Sequence, residues 1–137
     1  YGVISFQSEV KQLAKIVKQH QSFVVKPAQG SGGDGIVVIK EVTDKGYRKA
    51  SGSILEPGDL QYHIYNILSG MFSLGGQTDR AIIEYAVQFD PVFDEIAYQG
   101  VPDVRVIVYK GVPAMAMLRL PTQASDGKAN LHRGGVG

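Results

Sequence analysis

Residues 23–39, FVVKPAQGSGGDGIVVI, decide how the rest of the chain is interpreted. An apolar run ends at Lys26, a glycine-rich segment occupies 30–35, and a β-branched run follows at 36–39. This pattern predicts a strand, a loop and a second strand. Glycines let the backbone approach a ligand closely and adopt positive φ, so successive N–H groups can converge on an anion. The stretch therefore predicts a phosphate-covering loop with Lys26 in reach of the same anion, and a mobile hairpin tip is the alternative interpretation.

Composition limits the remaining possibilities. The chain has 137 residues, of which 44% are hydrophobic and 20% charged, so it is long and apolar enough for a globular core. A net charge of +1 argues against generic binding of nucleic acid. The absence of cysteine excludes disulfides, thiolate metal sites and a cysteine nucleophile. No apolar run reaches membrane-spanning length and no secretory leader opens the chain, so we expect a cytoplasmic protein without membrane or nucleic-acid partners.

The apolar periodicity along the chain predicts an α+β fold. Helical spacing is found at 8–20 and at 59–74, and Gly75-Gly76 is expected to close the second helix. Lys110-Gly111 is the expected turn of a hairpin, and 121–128 is expected to be a mobile loop. Further strands are predicted at 47–50, 81–87, 104–109 and 113–120.

Glycine spacing alone fits three types of nucleotide loop, and their context separates them. A Walker loop needs Gly-Lys-Ser/Thr before a helix, whereas Gly35 precedes Ile36 and a strand. The dinucleotide fingerprint also needs a helix after the loop, and the same β-branched run removes it. A kinase loop is a hairpin, but Lys40 follows too soon to be its lysine and the other kinase motifs are absent. The remaining arrangement is a hairpin loop whose lysine, Lys26, precedes it.

Five segments, in order along the chain, resemble motifs of the ATP-grasp superfamily. The resemblance covers nearly the whole chain and is closest to the RimK-type, α-L-glutamate ligase-like proteins through residues 102–135. The segments are VKP with the glycine loop at 25–35, the hinge IEYAV at 83–87, DVRV at 103–106, Arg119, and KANLHRGG at 128–135.

This resemblance implies an antiparallel sheet with helices, forming the small nucleotide-binding subdomain and the beginning of the large one. Residues 1–21 would be a helix linking from a preceding domain, 22–88 the small subdomain with phosphate loop and hinge, and 89–137 the truncated first part of the large subdomain. We expect a fragment of a longer protein that self-associates through its cut surface.

The function that the resemblance implies is ATP-dependent ligation of a carboxylate to an amine through an acyl phosphate, possibly glutamate ligase-like. ATP and Mg²⁺ are the implied cofactors, with the metal ligands expected beyond residue 137, so the fragment alone is expected to be inactive. A degenerate ATP-binding module with a regulatory role is the alternative. A third interpretation is a simple anion-binding domain.

Individual residues take their expected roles from the resemblance. Glu84 can also be interpreted as a surface carboxylate, Asp103 as a turn residue, and Arg105 and Arg119 as sheet-face charges paired with Glu95 or Asp94. His132 is expected to be structural or close to phosphate. The expected catalytic residues, for the γ-phosphate or acyl phosphate, are Arg105, Arg119, Asn130 and Arg133. The expected nucleotide-binding residues are Lys26, Gln29, Gly30, Ser31, Gly32, Gly33, Glu84, Tyr85, Ala86, Val87, Asp103 and Lys128.

Overall fold

The structure is a computed structural model that describes residues 1–93, 95–98, 100–125 and 128–137. It divides the chain into two compact units, Tyr1–Ala86 and Val87–Gly137. Each unit is described by itself. The first holds the glycine-rich loop, and the second holds a β-hairpin and the segment that follows it.

The first unit is built on a six-stranded antiparallel sheet with the order β1-β6-β2-β3-β4-β5. The predicted strand, loop and strand around the glycines are confirmed, because β2 and β3 pair antiparallel with Val25 opposite Val37. The short strand β1 was not predicted. The strands are β1 (Gly2–Ile4), β2 (Phe23–Pro27), β3 (Val37–Thr43), β4 (Gly46–Lys49), β5 (Ile54–Leu55) and β6 (Ala81–Glu84).

Helices of the first unit depart from the predicted bounds. The first predicted helix begins as a 3₁₀ helix, Gln7–Gln12, and continues as α1 (Leu13–Gln19). The second, α2, spans Pro57–Leu68 and starts with proline in its first turn, where the missing N–H costs nothing. No helix among the described residues is both long enough and apolar enough to cross a membrane.

The predicted closure of the second helix at Gly75-Gly76 is wrong. Gly70 has a φ of 86°, and its N–H donates to the carbonyl of Ile67 at 2.9 Å. The next N–H, of Met71, donates to the carbonyl of Asn66 at 3.1 Å. This pair of bonds is a Schellman motif, which satisfies the last carbonyls and stops the helix one turn before the apolar pattern ends.

Side chains along the strands point alternately to the two faces of the sheet, and one of these faces is buried in the first unit. Phe23, Val25 and Ile83 are fully buried on this face, where they belong to one core cluster with Leu60 and Ile64 of α2. The opposite face carries the intervening residues, which are half-buried. These residues are Val24, Lys26, Val38, Ile82 and Glu84.

In the described part of the second unit, two strands form an antiparallel hairpin, β7 (Asp103–Tyr109) and β8 (Val112–Arg119). The predicted turn is confirmed, since Lys110 and Gly111 both have positive φ, 48° and 82°. Short 3₁₀ helices lie at Pro91–Phe93 and Leu131–Arg133. The described part of the predicted loop at 121–128 is a turn in which Thr122 and Ser125 exchange hydrogen bonds, and residues 126 and 127 lie outside the described part of the chain.

Candidate functional site

The glycine-rich loop joins the ends of β2 and β3. Gly32, Gly33 and Gly35 have φ values of 63°, 81° and 75°, which side chains other than glycine rarely adopt. Within the loop the N–H of Asp34 donates to the carbonyl of Ser31 at 3.1 Å. The loop thus has a defined turn geometry, and its glycines remove the side chains that would keep a ligand from the backbone.

The incoming end of the loop is fixed by a buried carboxylate. Asp79 is 4% exposed, and its Oδ2 accepts hydrogen bonds from the N–H of Gln29 at 2.9 Å and the hydroxyl of Ser73 at 2.8 Å. Its Oδ1 accepts from the N–H of Arg80 at 2.7 Å. Burial alone raises the pKa of Asp79, but these three hydrogen bonds and the charge of Arg80 outweigh it and hold the pKa below its ordinary value. The carboxylate therefore stays ionised.

The outgoing end of the loop rests on α2 and the residues after it. His63 Nε2 lies 2.9 Å from the carbonyl oxygen of Gly35, and its ring lies 5.3 Å from that of Phe72. A Cβ on Gly35 would lie only 2.6 Å from Phe72 Cγ. The glycine at this position is thus required by the close approach of the Phe72 ring as well as by its φ.

Lys26 and Glu84 form an ion pair on the half-buried sheet face. The register explains the pair: Lys26 lies opposite Ile82 and Val24 opposite Glu84, so lysine and glutamate are diagonal neighbours on one face. Their side chains are 33% and 42% exposed. A pair this exposed contributes little to stability, so Lys26 is available to exchange its carboxylate for another anion.

The predicted hinge strand at 81–87 is shorter than expected. The strand ends at Glu84, which lies opposite Val24. Because the two strands are antiparallel and β2 begins at Phe23, the pairing between them ends there. Tyr85 and Val87 are exposed and Ala86 is buried. The backbone after Glu84 is therefore outside the sheet ladder.

The hairpin of the second unit brings three predicted residues to one face. Asp103 lies opposite Arg119 in the register, and Arg105 is two residues along β7 from Asp103. Arg119 donates to both oxygens of Asp103 at 2.6 Å, and these hydrogen bonds raise the pKa of the Arg119 guanidinium above its ordinary value. Among the described residues, Arg119 thus pairs with Asp103 and not with Glu95, and Asp94 lies outside the described residues. Arg105 is exposed.

The remaining predicted residues lie in the tail of the second unit. Leu120, next to Arg119, exchanges two backbone hydrogen bonds with Val136 at 2.8 and 3.1 Å, which returns the tail to the end of β8. The carbonyl of Asn130 accepts from the N–H groups of Arg133 and Gly135 at 3.0 and 3.1 Å. Arg133 is exposed, whereas Lys128 and Asn130 are half-buried.

The family model described as sugar-transfer associated ATP-grasp matches residues 1–137. The chain belongs to this ATP-grasp family. Neither the curated proteins nor the solved structures contain a match. The expected superfamily is confirmed, and so is the expected α+β fold with antiparallel sheets. The match does not show the expected resemblance to the RimK-type group.

ATP-grasp proteins as a class bind ATP and Mg²⁺. The glycine loop and Lys26 suit a polyphosphate. In the described ranges, no three Asp, Glu or His side chains lie together in the manner of a metal site.

Sequence reasoning missed the residues that hold the loop, Asp79, Ser73 and His63. His63 lies within the helical spacing at 59–74, which does not place it at the loop. Asp79 follows a polar, glycine-rich segment and reads as an ordinary turn residue. The one available signal is an acidic residue two positions before the strand β6, which is too common to single out a position.

Proposed function

We propose that this ATP-grasp chain binds ATP, with the glycine loop over the phosphates, as part of an ATP-dependent carboxylate–amine ligase. One observation supports this most strongly. The loop has three glycines with positive φ and is held by hydrogen bonds at both ends. It follows a strand whose lysine pairs with Glu84 on the half-buried sheet face and does not point into the core. The proposed subdomain bounds remain those drawn from the resemblance, with 22–88 as the small subdomain.

The proposed roles in the first unit follow from charge and exposure. Lys26 exchanges Glu84 for the α- and β-phosphates, and the backbone N–H groups of 30–33 donate to the phosphate oxygens. Gln29 and Ser31 have exposed side chains that can add hydrogen bonds. Main-chain groups of 84–87 serve the adenine edge, as the resemblance to the ATP-grasp hinge implies.

The proposed roles in the second unit concern developing phosphate charge. Arg105 is exposed and its planar fork suits an oxyanion. Arg119 donates two of its five N–H groups to Asp103, so three remain for the acyl phosphate, and the Asp103 oxygens keep lone pairs that can accept from the ribose. Lys128, Asn130 and Arg133 complete the proposed anion-binding set.

The proposed reaction has two steps. A carboxylate oxygen attacks the γ-phosphorus of ATP, the bond between that phosphorus and the leaving ADP oxygen breaks, and an acyl phosphate forms. The amine then attacks the acyl carbon, phosphate leaves, and an amide results after loss of a proton. The protein contributes by positioning the groups and by stabilising phosphate charge, which supply most of the catalysis in phosphoryl transfer.

Fewer observations bear on the class of substrate than on ATP binding. The glutamate ligase-like specificity rests only on residues 102–135, and the family match does not support it. The family description favours a second candidate, in which the carboxylate or the amine belongs to a sugar acid or an amino sugar. Incubation of the complete gene product with ATP and a panel of such pairs, beside glutamate, separates the two candidates by ADP release that requires both substrates. Binding of ATP without ADP release from any pair would favour the regulatory alternative.

Thermal protection of the chain tests the binding proposal. We expect ATP to raise the melting temperature more than tripolyphosphate or sulfate at equal concentration and ionic strength, because adenine and phosphate are both bound. Equal protection by any polyanion would show a simple anion patch. No protection by ATP at millimolar concentration would refute the proposed function.

A further inference from the structure

We propose that Asp79 is a positioning residue for the phosphate loop, acting through the Gln29 N–H and the Ser73 hydroxyl. This inference rests on the proposed function, since it assigns to Asp79 the geometry of the loop that would cover ATP. The residue lies 50 positions from Gln29 in sequence and carries no role in the resemblance.

The contacts around Gln29 show why a loop starting there depends on Asp79. The N–H of Gln29 donates to the carboxylate at 2.9 Å, and its carbonyl accepts from the N–H of Leu74 at 3.3 Å. Gly30 forms a β-bridge with Ser73, whose hydroxyl donates to the same carboxylate oxygen at 2.8 Å. One carboxylate oxygen therefore links the residue before the loop to the segment beside it.

The residue before Gln29 bonds to a backbone carbonyl and not directly to the carboxylate. The N–H of Ala28 donates to the carbonyl of Arg80 at 3.0 Å, and Arg80 N–H donates to the second oxygen of Asp79. The strand thus stays registered up to residue 28, and the carboxylate sets the direction in which the chain leaves it. A change at Asp79 should therefore alter the loop more than the sheet.

Substitution of Asp79 by asparagine disturbs this arrangement without changing its size. The carboxylate accepts three hydrogen bonds, and an amide places NH₂ where one oxygen was. At least one N–H or O–H donor then faces another donor, and an unpaired buried polar group is costly. Ser73→Ala is the milder change, because it removes one donor and leaves both backbone bonds in place.

The test compares affinities for ATP and for adenosine, measured by NMR titration of the chain and its variants. We expect Asp79→Asn to weaken ATP binding about tenfold and Ser73→Ala by less, with adenosine affinity unchanged in both. Asp44→Asn, at an exposed position in the β3–β4 turn, makes the same charge change and should leave both affinities unchanged. Amide hydrogen exchange at Gln29 without ligand should accelerate in Asp79→Asn but not in Asp44→Asn.

The outcomes separate the two proposals. If the wild-type chain binds neither ligand, the proposed function fails and the inference with it. If the wild type binds ATP but Asp79→Asn binds it equally well, or loses ATP and adenosine to the same extent, the inference alone is overturned. Unchanged exchange at Gln29 would also overturn it, whatever the affinities.

Discussion

Replacement of Gly35 by alanine should lower the free energy of unfolding through two effects that can be measured separately. A residue with a Cβ at φ 75° costs about 1 kcal/mol or slightly more. The new methyl would also lie 2.6 Å from Phe72 Cγ and 2.7 Å from Cδ2, so the ring must move and leave its contact with His63. Overpacking of this kind costs about 1–3 kcal/mol. The expected loss is therefore about 2–4 kcal/mol of unfolding free energy.

The assay is urea unfolding followed by circular dichroism. The control variant has the unfavourable positive φ but no clash with a neighbouring side chain. Gly52 has a φ of 86° with no atom within 4 Å of an added Cβ, so Gly52→Ala should cost only about 1 kcal/mol. In a Phe72→Ala background most of the difference between the two glycine substitutions should disappear, because the ring clash is gone and only the 3.0 Å approach to the β-carbon of residue 72 remains. A Gly35→Ala cost equal to that of Gly52→Ala in the wild-type background would refute the docking of the loop on Phe72.

Two further predictions concern the core and the acid stability of the first unit. Ile83→Ala, at a fully buried position of the central sheet, should lower the unfolding free energy by about 2–5 kcal/mol in urea melts, and a loss below about 1 kcal/mol would contradict its place in the core. Asp79 has a folded-state pKa below its ordinary value of 3.8, so its contribution is present above pH 3.8 and is lost as the pH falls through the folded-state pKa. Urea melts over this range should show a smaller acid-induced loss for Asp79→Asn than for wild type, and equal losses would contradict the assignment.

Local features of the chain were predictable where neighbouring residues decide them. The β-branched runs on both sides of the glycines specify two strands, and Lys110-Gly111 specifies a tight turn, because side-chain shape and φ preference act within a few residues. The predicted end of α2 was wrong, although the signals that decide it are also local. Two glycine signals compete there. The Schellman hydrogen bonds that the N–H groups of Gly70 and Met71 donate end the helix before Gly75.

Features that depend on distant partners could not be predicted. Strand β1 has three residues, and its place in the sheet is set by β6, nearly eighty positions away. Asp79 gains its role from Gln29 and Ser73, neither of which marks it in sequence. The pairing of Asp103 with Arg119 follows from the hairpin register, which sequence alone left open. In each case tertiary contact, not local preference, places the residue.

The most direct test of ATP binding at the glycine loop is calorimetric titration of wild type, Lys26→Gln and Lys45→Gln with ATP. Lys45 is exposed in the β3–β4 turn and provides the same loss of charge away from the loop. We predict that Lys26→Gln weakens ATP binding about tenfold or more, as expected for loss of a charged hydrogen-bond donor, while Lys45→Gln matches wild type. Equal ATP affinity in Lys26→Gln and wild type would contradict the placement of the phosphates at this loop.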